Sequence, residues 1–176
     1  MFEAGQARVR LRPMRHLFTL FLLLLLLATP AVASGNLVSL PGATPGVILI
    51  RTSERKLYLT LPGERAIQYT VAVGKIGRQW QGSSYVAFKQ RNPTWHPPEM
   101  VRRDNPHLPR VIPPGPANPL GAAVLVLGDG KYGIHGTNRP SSIGTAVSYG
   151  CFRMRNEDVL DLYARVPEGT PVIVQR

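Results

Sequence analysis

The chain has 176 residues, 21 Lys and Arg against 10 Asp and Glu, a formal charge of +11 and one cysteine, Cys151. A single thiol excludes an intramolecular disulfide, so the fold must stand on apolar packing, while the positive balance draws the protein toward anionic surfaces. The 143 residues after Ala33 suffice for one domain with a hydrophobic core and are too few for two.

The first 33 residues have the layout of a secretory signal: Arg8, Arg10, Arg12 and Arg15, then LFTLFLLLLLLA from Leu17 to Ala28, then Ala31-Val32-Ala33 as a cleavage site before Ser34. The apolar run is twelve residues, short of the roughly twenty a membrane-spanning helix needs, so an uncleaved anchor is the alternative rather than the main reading. No cysteine stands at the boundary to carry a lipid. Export makes cell wall or lipid, not nucleic acid, the expected anionic partner.

Residues 34–45 (SGNLVSLPGATP) show no periodic apolar pattern and read as a lead-in or linker, with one domain over 46–176. VILI (Val47–Ile50) is β-prone, and KLYLTL alternates Leu57, Leu59 and Leu61 against Lys56, Tyr58 and Thr60, as a strand with one buried face should. Tyr69, Val71 and Val73 repeat the two-residue period, and SYVAFK (Ser84–Lys89) is a further strand candidate. From Gln90 to Ala122, Pro93, Pro97, Pro98, Pro106, Pro109, Pro113, Pro114, Pro116 and Pro119 prevent long helices and central strands. A stretch of that length reads as a lid or binding loop, with Trp95, His96, Pro97 and Pro98 as groove-wall candidates. AVLVL, a Gly-rich turn and KYGIH predict a hairpin that ends at His135. Asn156 is the expected N-cap of a helix with Val159, Leu160, Tyr163 and Val166 along one side, and PVIV (Pro171–Val174) closes as a strand. The sum is a mainly β domain, a sandwich or barrel, with one short helix near the C-terminus and long Pro-rich loops.

Cys151 has two readings, a small buried hydrophobe or a nucleophile whose thioester would split an acyl transfer into two steps. Gly150 allows unusual backbone dihedrals beside it, and Arg153 places a charge that lowers a thiol pKa or holds a carboxylate. His135, sixteen positions earlier, is either a satisfied structural histidine or the base that takes the thiol proton. The Gly150 and Cys151 amides are oxyanion-hole candidates, with Ser148 or Tyr149 adding a side-chain bond. His96, His107, His135 and Cys151 lack metal-ligand spacing, Glu99, Asp104, Asp129, Glu157, Asp158 and Asp161 form no decisive catalytic pair, and no phosphate-binding loop is present.

IHGTN (Ile134–Asn138), SIG (Ser142–Gly144) and SYGCFRM (Ser148–Met154) resemble the L,D-transpeptidase catalytic domain of the YkuD or ErfK/YbiS type. The likeness extends to GKIGRQW, NPTWHPP and NPLGA, over nearly all of residues 45–176. It implies a β-sandwich-like domain, exported to the periplasm and cell wall, that needs no cofactor and no metal. Its cysteine attacks a peptidoglycan stem peptide at the bond between the L-centre of diaminopimelate and a terminal D-alanine, and an amine then takes the acyl group to form an L,D crosslink. Some relatives use water, as L,D-carboxypeptidases, or a lipoprotein lysine. Contact with a membrane would be only through the signal or an uncleaved anchor, and no nucleic-acid partner is implied. Carried over by position, the resemblance makes Cys151 the nucleophile, His135 the base, Gly136 the carbonyl that orients the imidazole, Ser148 and Gly150 the shapers of the nucleophile loop, and Arg153 a support for site or substrate. Two departures stand out: Tyr149 where many relatives have histidine, and WQGS (Trp80–Ser83) where many have T-P-T-G. Tyr149 is the best support for the remaining alternative, a catalytically silent wall-binding module.

Overall fold

The structure is a computed structural model that describes residues 34–128 and 130–176. The expected signal segment, residues 1–33, lies outside the described residues. Apolar β-branched runs form strands β1 (Asn36–Ser39), β2 (Ile48–Arg51), β3 (Lys56–Leu61), β4 (Arg65–Thr70), β5 (Val73–Gly74), β6 (Gly82–Arg91), β7 (Ala123–Leu127), β8 (Tyr132–His135), β9 (Ala146–Ser148), β10 (Phe152–Arg153) and β11 (Pro171–Gln175). The helices are α1 (Glu99–Asp104) and α2 (Asn156–Arg165). Nine strands hydrogen-bond in the order β1-β4-β3-β2-β11-β6-β7-β8-β10, and β5 pairs with β9. The domain is mainly β, as expected.

Strand β6 is the joint. Its first half pairs with β11, its second half with β7, and the register slips between Val86 and Phe88. Such an irregularity bends a strand and sharpens its twist. The two halves of the sheet then share one core, where Ile48, Ile50, Leu57 and Val172 meet Leu125, Leu127, Ile134 and Phe152 together with Val159 and Leu162 of α2. This arrangement is that of a sandwich.

The structure corrects three local expectations. The lead-in over 34–45 holds strand β1, which pairs antiparallel with β4, and its Leu40 is buried with an amide bonded to the Glu64 carbonyl at 2.7 Å. That segment also corrects β3. Tyr58 packs with Leu40, Leu49 and Ala66 in a second cluster, so the face that a two-residue period leaves to solvent is covered. Finally, Arg155 occupies the N-cap of α2, without a side-chain cap, while the Asn156 amide bonds to backbone elsewhere.

The Pro-rich stretch is clipped into shape by Asn118, which is fully buried. Its Nδ2 donates to the carbonyls of Pro93 (2.7 Å), Pro113 (3.1 Å) and Ile112 (3.2 Å), and its Oδ1 accepts the Leu120 amide at 2.8 Å. Trp95 and Ile112 exchange backbone bonds across the same loop. No helix among the described residues is long and apolar enough to cross a membrane.

Candidate active site

His135 ends β8, and Cys151 immediately precedes β10, which runs parallel to β8 with Phe152 opposite Ile134 and Arg153 opposite His135. Side chains alternate between faces along a strand, and neighbouring strands lie roughly 4.8 Å apart. That register sends Phe152 and Ile134 into the core and leaves Cys151, Arg153 and His135 on the other face. The sixteen-residue offset in sequence thus closes into a diagonal pair across two adjacent strands.

All three side chains line a cavity of about 330 Å³. Its opposite wall comes from the Pro-rich stretch: Trp95, Pro98, Met100 and Val101 of and before α1, then Pro119 and Leu120. Of the four groove-wall candidates, Trp95 and Pro98 line this cavity, whereas His96 is exposed and Pro97 is buried, and neither lines it. A second groove of about 660 Å³ shares Trp95, Val101, Pro119, Tyr149 and Arg153 with the first and continues past Arg139 to Thr145.

The imidazole of His135 is 5% exposed, with Nδ1 2.7 Å from the Gly136 carbonyl. A carbonyl only accepts, so Nδ1 carries the proton and Nε2 is the basic nitrogen. Burial, aided by the positive charge of Arg153 and opposed by the Gly136 bond, pushes the pKa down to about 4, so the ring is neutral at pH 7. Cys151 is half-buried. Burial pushes its thiol up from the ordinary value, outweighing the backbone bond from Gly133 and the charge of Arg153, which both pull it down. Of the two expectations for Arg153, a lowered thiol pKa or a held carboxylate, the pull on the thiol is present but is outweighed by desolvation. The pair rests as thiol and neutral imidazole.

Ser148 staples the nucleophile loop. Its Oγ accepts the Gly150 amide at 3.1 Å and donates to the Cys151 carbonyl at 2.5 Å. The Gly150 amide is thereby engaged inside the protein, which counts against its expected part in an oxyanion hole. Gly150 itself has φ +121°, and a Cβ there would fall 2.5 Å from Tyr132 Cε1 and 3.2 Å from the Arg78 carbonyl. Gly150→Ala is accordingly expected to destabilise the fold by about 3 kcal/mol, from backbone strain and overpacking together, measured by urea unfolding.

Trp80, which ends the GKIGRQW segment of the likeness and opens the WQGS departure, underpins this loop. Its Nε1 donates to the Gly150 carbonyl at 3.0 Å, and its ring stacks on Tyr132 with centroids 5.0 Å apart. Asp104 and Lys75 went unassigned. The Tyr149 hydroxyl donates to Asp104 Oδ2 at 2.7 Å, and Lys75 Nζ sits 4.4 Å over the Tyr149 ring and 3.7 Å from the same carboxylate. The bond from Tyr149, then the charges of Lys75 and Arg78, hold the Asp104 carboxyl below its ordinary range. Tyr149 thus ties α1 to the nucleophile loop, a contact that Tyr149→Phe removes. The expected result is a two- to fivefold faster hydrogen exchange of the amides at the end of α1, as the loss of one exposed polar tie implies (about that range for surface pairs).

Fold and site together define a class of protein: a mainly β domain that presents a cysteine and an oriented, neutral histidine side by side at the mouth of a groove. The sequence profile of the L,D-transpeptidase catalytic domain matches residues 45–174. YkuD of Bacillus subtilis (strain 168), named as an L,D-transpeptidase, is 36% identical over 162 residues that cover 86% of this chain and 85% of that protein. ErfK/SrfK of Escherichia coli (strain K12), likewise named, is 36% identical over 140 residues, covering 76% of this chain and 45% of that one. The chain thus spans about half the length of such longer relatives. Among solved structures, the catalytic domain of the Enterococcus faecium L,D-transpeptidase aligns with a TM-score of 0.58 at 18% identity, covering 76% of this chain and 99% of that one. L,D-transpeptidase 3 of Mycobacterium tuberculosis gives 0.58 at 16%, covering 74% and 60%. The chain belongs to the L,D-transpeptidase catalytic domain family.

Proposed function

We propose that this protein is an exported peptidoglycan L,D-transpeptidase of the periplasm, with Cys151 as nucleophile and His135 as base. The observation that carries the reading is the parallel register of β8 and β10, which sets a neutral imidazole with a fixed Nδ1–H beside the only thiol of the chain. His135 Nε2 takes the Sγ proton as sulfur attacks the carbonyl of the diaminopimelate–D-alanine bond, and the Cys151 amide receives the oxyanion. The protonated imidazole then gives its proton to the departing nitrogen of D-alanine, leaving a thioester on Cys151. An acceptor amine attacks that thioester, loses its proton to His135 and restores the thiol as the crosslink forms. Proton transfer in step with attack suits a pair in which neither partner rests charged.

Arg153 lines both grooves, and no salt bridge among the described residues engages its guanidinium. It is available to the carboxylates of stem peptides. Arg139 extends this positive wall along the second groove. Product analysis with defined tetrapeptide stems tests the reading. D-Alanine release with joined stems is the expected result; tripeptide alone would assign the activity to an L,D-carboxypeptidase, a lysine-linked product to a lipoprotein ligase. Wall binding without any product, unchanged by Cys151→Ala, would assign a silent binding module.

A further inference from the structure

Asn156 opens α2, yet its side chain serves the other side of the site. Oδ1 accepts the Thr137 amide at 3.0 Å and the Ala122 amide at 3.1 Å, while Nδ2 donates to the Thr137 carbonyl at 3.1 Å. The carboxamide therefore pairs with both backbone groups of Thr137, just beyond the end of β8. The Thr137 N–H and the Gly136 C=O belong to one planar trans peptide, so fixing the direction of the first fixes the second. That carbonyl is the one that accepts the hydrogen bond from His135 Nδ1–H. Sterics point the same way: a Cβ on Gly136 would lie 2.2 Å from Asn156 Oδ1, and one on Gly121 2.1 Å from it. Both glycines make room for this amide.

We propose that Asn156 is a positioning residue for the base: by holding the Gly136–Thr137 peptide plane, it keeps His135 in the Nδ1–H tautomer with Nε2 free to accept the thiol proton. This rests on the assignment of His135 as base, and the test is chosen to work without any peptidoglycan substrate. Thr137 is itself 2% exposed, while Asn156 is partly exposed and lines a cavity of about 230 Å³ together with Gly121, Ala122 and Thr137.

The experiment compares the parent protein, Asn156→Ala, Asn156→Asp and Val159→Ala by two readouts. The first is the tautomer of His135 in long-range ¹⁵N–¹H spectra at pH 7.5. The second is the rate of Cys151 alkylation by iodoacetamide, which needs a base beside the thiol and no stem peptide. Asn156→Ala is expected to mix the two tautomers and slow alkylation by roughly 10- to 100-fold, the scale of a misplaced catalytic group. Asn156→Asp keeps an acceptor for both amides and is expected to retain the Nδ1–H tautomer and recover the rate to within about threefold of the parent, a difference at the edge of what one lost neutral bond produces. Val159 is fully buried in the same helix. Its truncation lowers thermal stability without touching the peptide and is expected to leave both readouts parental. The proposal is overturned if Asn156→Ala keeps the tautomer and rate of the parent, or if Val159→Ala loses as much rate at equal melting temperature. Should Asn156→Ala not fold, Asn156→Asp decides alone: a folded protein with mixed tautomers overturns the proposal. Parental alkylation behaviour with no stem-peptide turnover would leave Asn156 in place and count against the substrate assignment instead.

Discussion

Replacing Cys151 with serine is expected to reduce D-alanine release by more than about 10⁴-fold while changing stability by less than about 1 kcal/mol. The swap exchanges one small polar atom in a half-buried position, so packing is preserved. Chemistry is not. An alcohol holds its proton far more tightly than a thiol, and His135, with a pKa of about 4, is too weak a base to draw it away. Steady-state assays of both proteins, alongside melting curves, check the two halves of this expectation separately. A serine variant with turnover near that of the parent would mean that the acyl group never rests on residue 151.

The second large effect concerns His135. His135→Gln preserves a side chain able to donate to the Gly136 carbonyl but removes the basic nitrogen, and acylation is expected to fall by about 10²- to 10⁴-fold. In the parent the rate should climb as pH rises through about 4, where the imidazole becomes neutral, and hold level across neutral pH because the thiol titrates above its ordinary value. Stability follows the same group. The unfolded chain binds a proton at this histidine below about 6.5, whereas the folded protein does so only below about 4. Folding free energy is therefore full above pH 6.5 and declines as pH falls toward 4, by about 3 kcal/mol in all. Urea unfolding at pH 7.5 and at pH 4.5 reads this decline, and His135→Gln should lose that portion of it. An equal decline in both proteins would place the acid sensitivity elsewhere.

The parts of the site visible in the chain were those written in scarce chemistry. One thiol, one histidine at the end of a β-prone run, and glycines around both were enough to propose a pair, because few side chains can do that work. What joined them was not visible: β10 is two residues long, and no periodicity can be read over such a span. The contacts that support the loop were also silent in the sequence, since Trp80 meets Gly150 across 70 positions and Tyr149 meets Asp104 across 45. The Tyr149–Asp104 contact depends on how a Pro-rich stretch folds back, which Asn118 fixes through backbone carbonyls rather than through any local pattern. Strand β1 escaped notice for a related reason. It lies at a sheet edge with Leu37 62% exposed, so apolar and polar positions do not alternate. At Asn156 the capping rule named the right kind of residue, but tertiary partners at Ala122 and Thr137 outcompeted the helix terminus for its amide.

The central claim, that a thioester forms on Cys151 with His135 as its base, is tested most directly by intact-protein mass spectrometry after mixing the parent protein with a defined tetrapeptide stem. The predicted result is a covalent adduct with the mass of the stem minus D-alanine, mapped to Cys151, absent from Cys151→Ala and slow to appear in His135→Gln. Release of D-alanine with no adduct trapped at any time point, or an adduct that forms equally in Cys151→Ala, would contradict it.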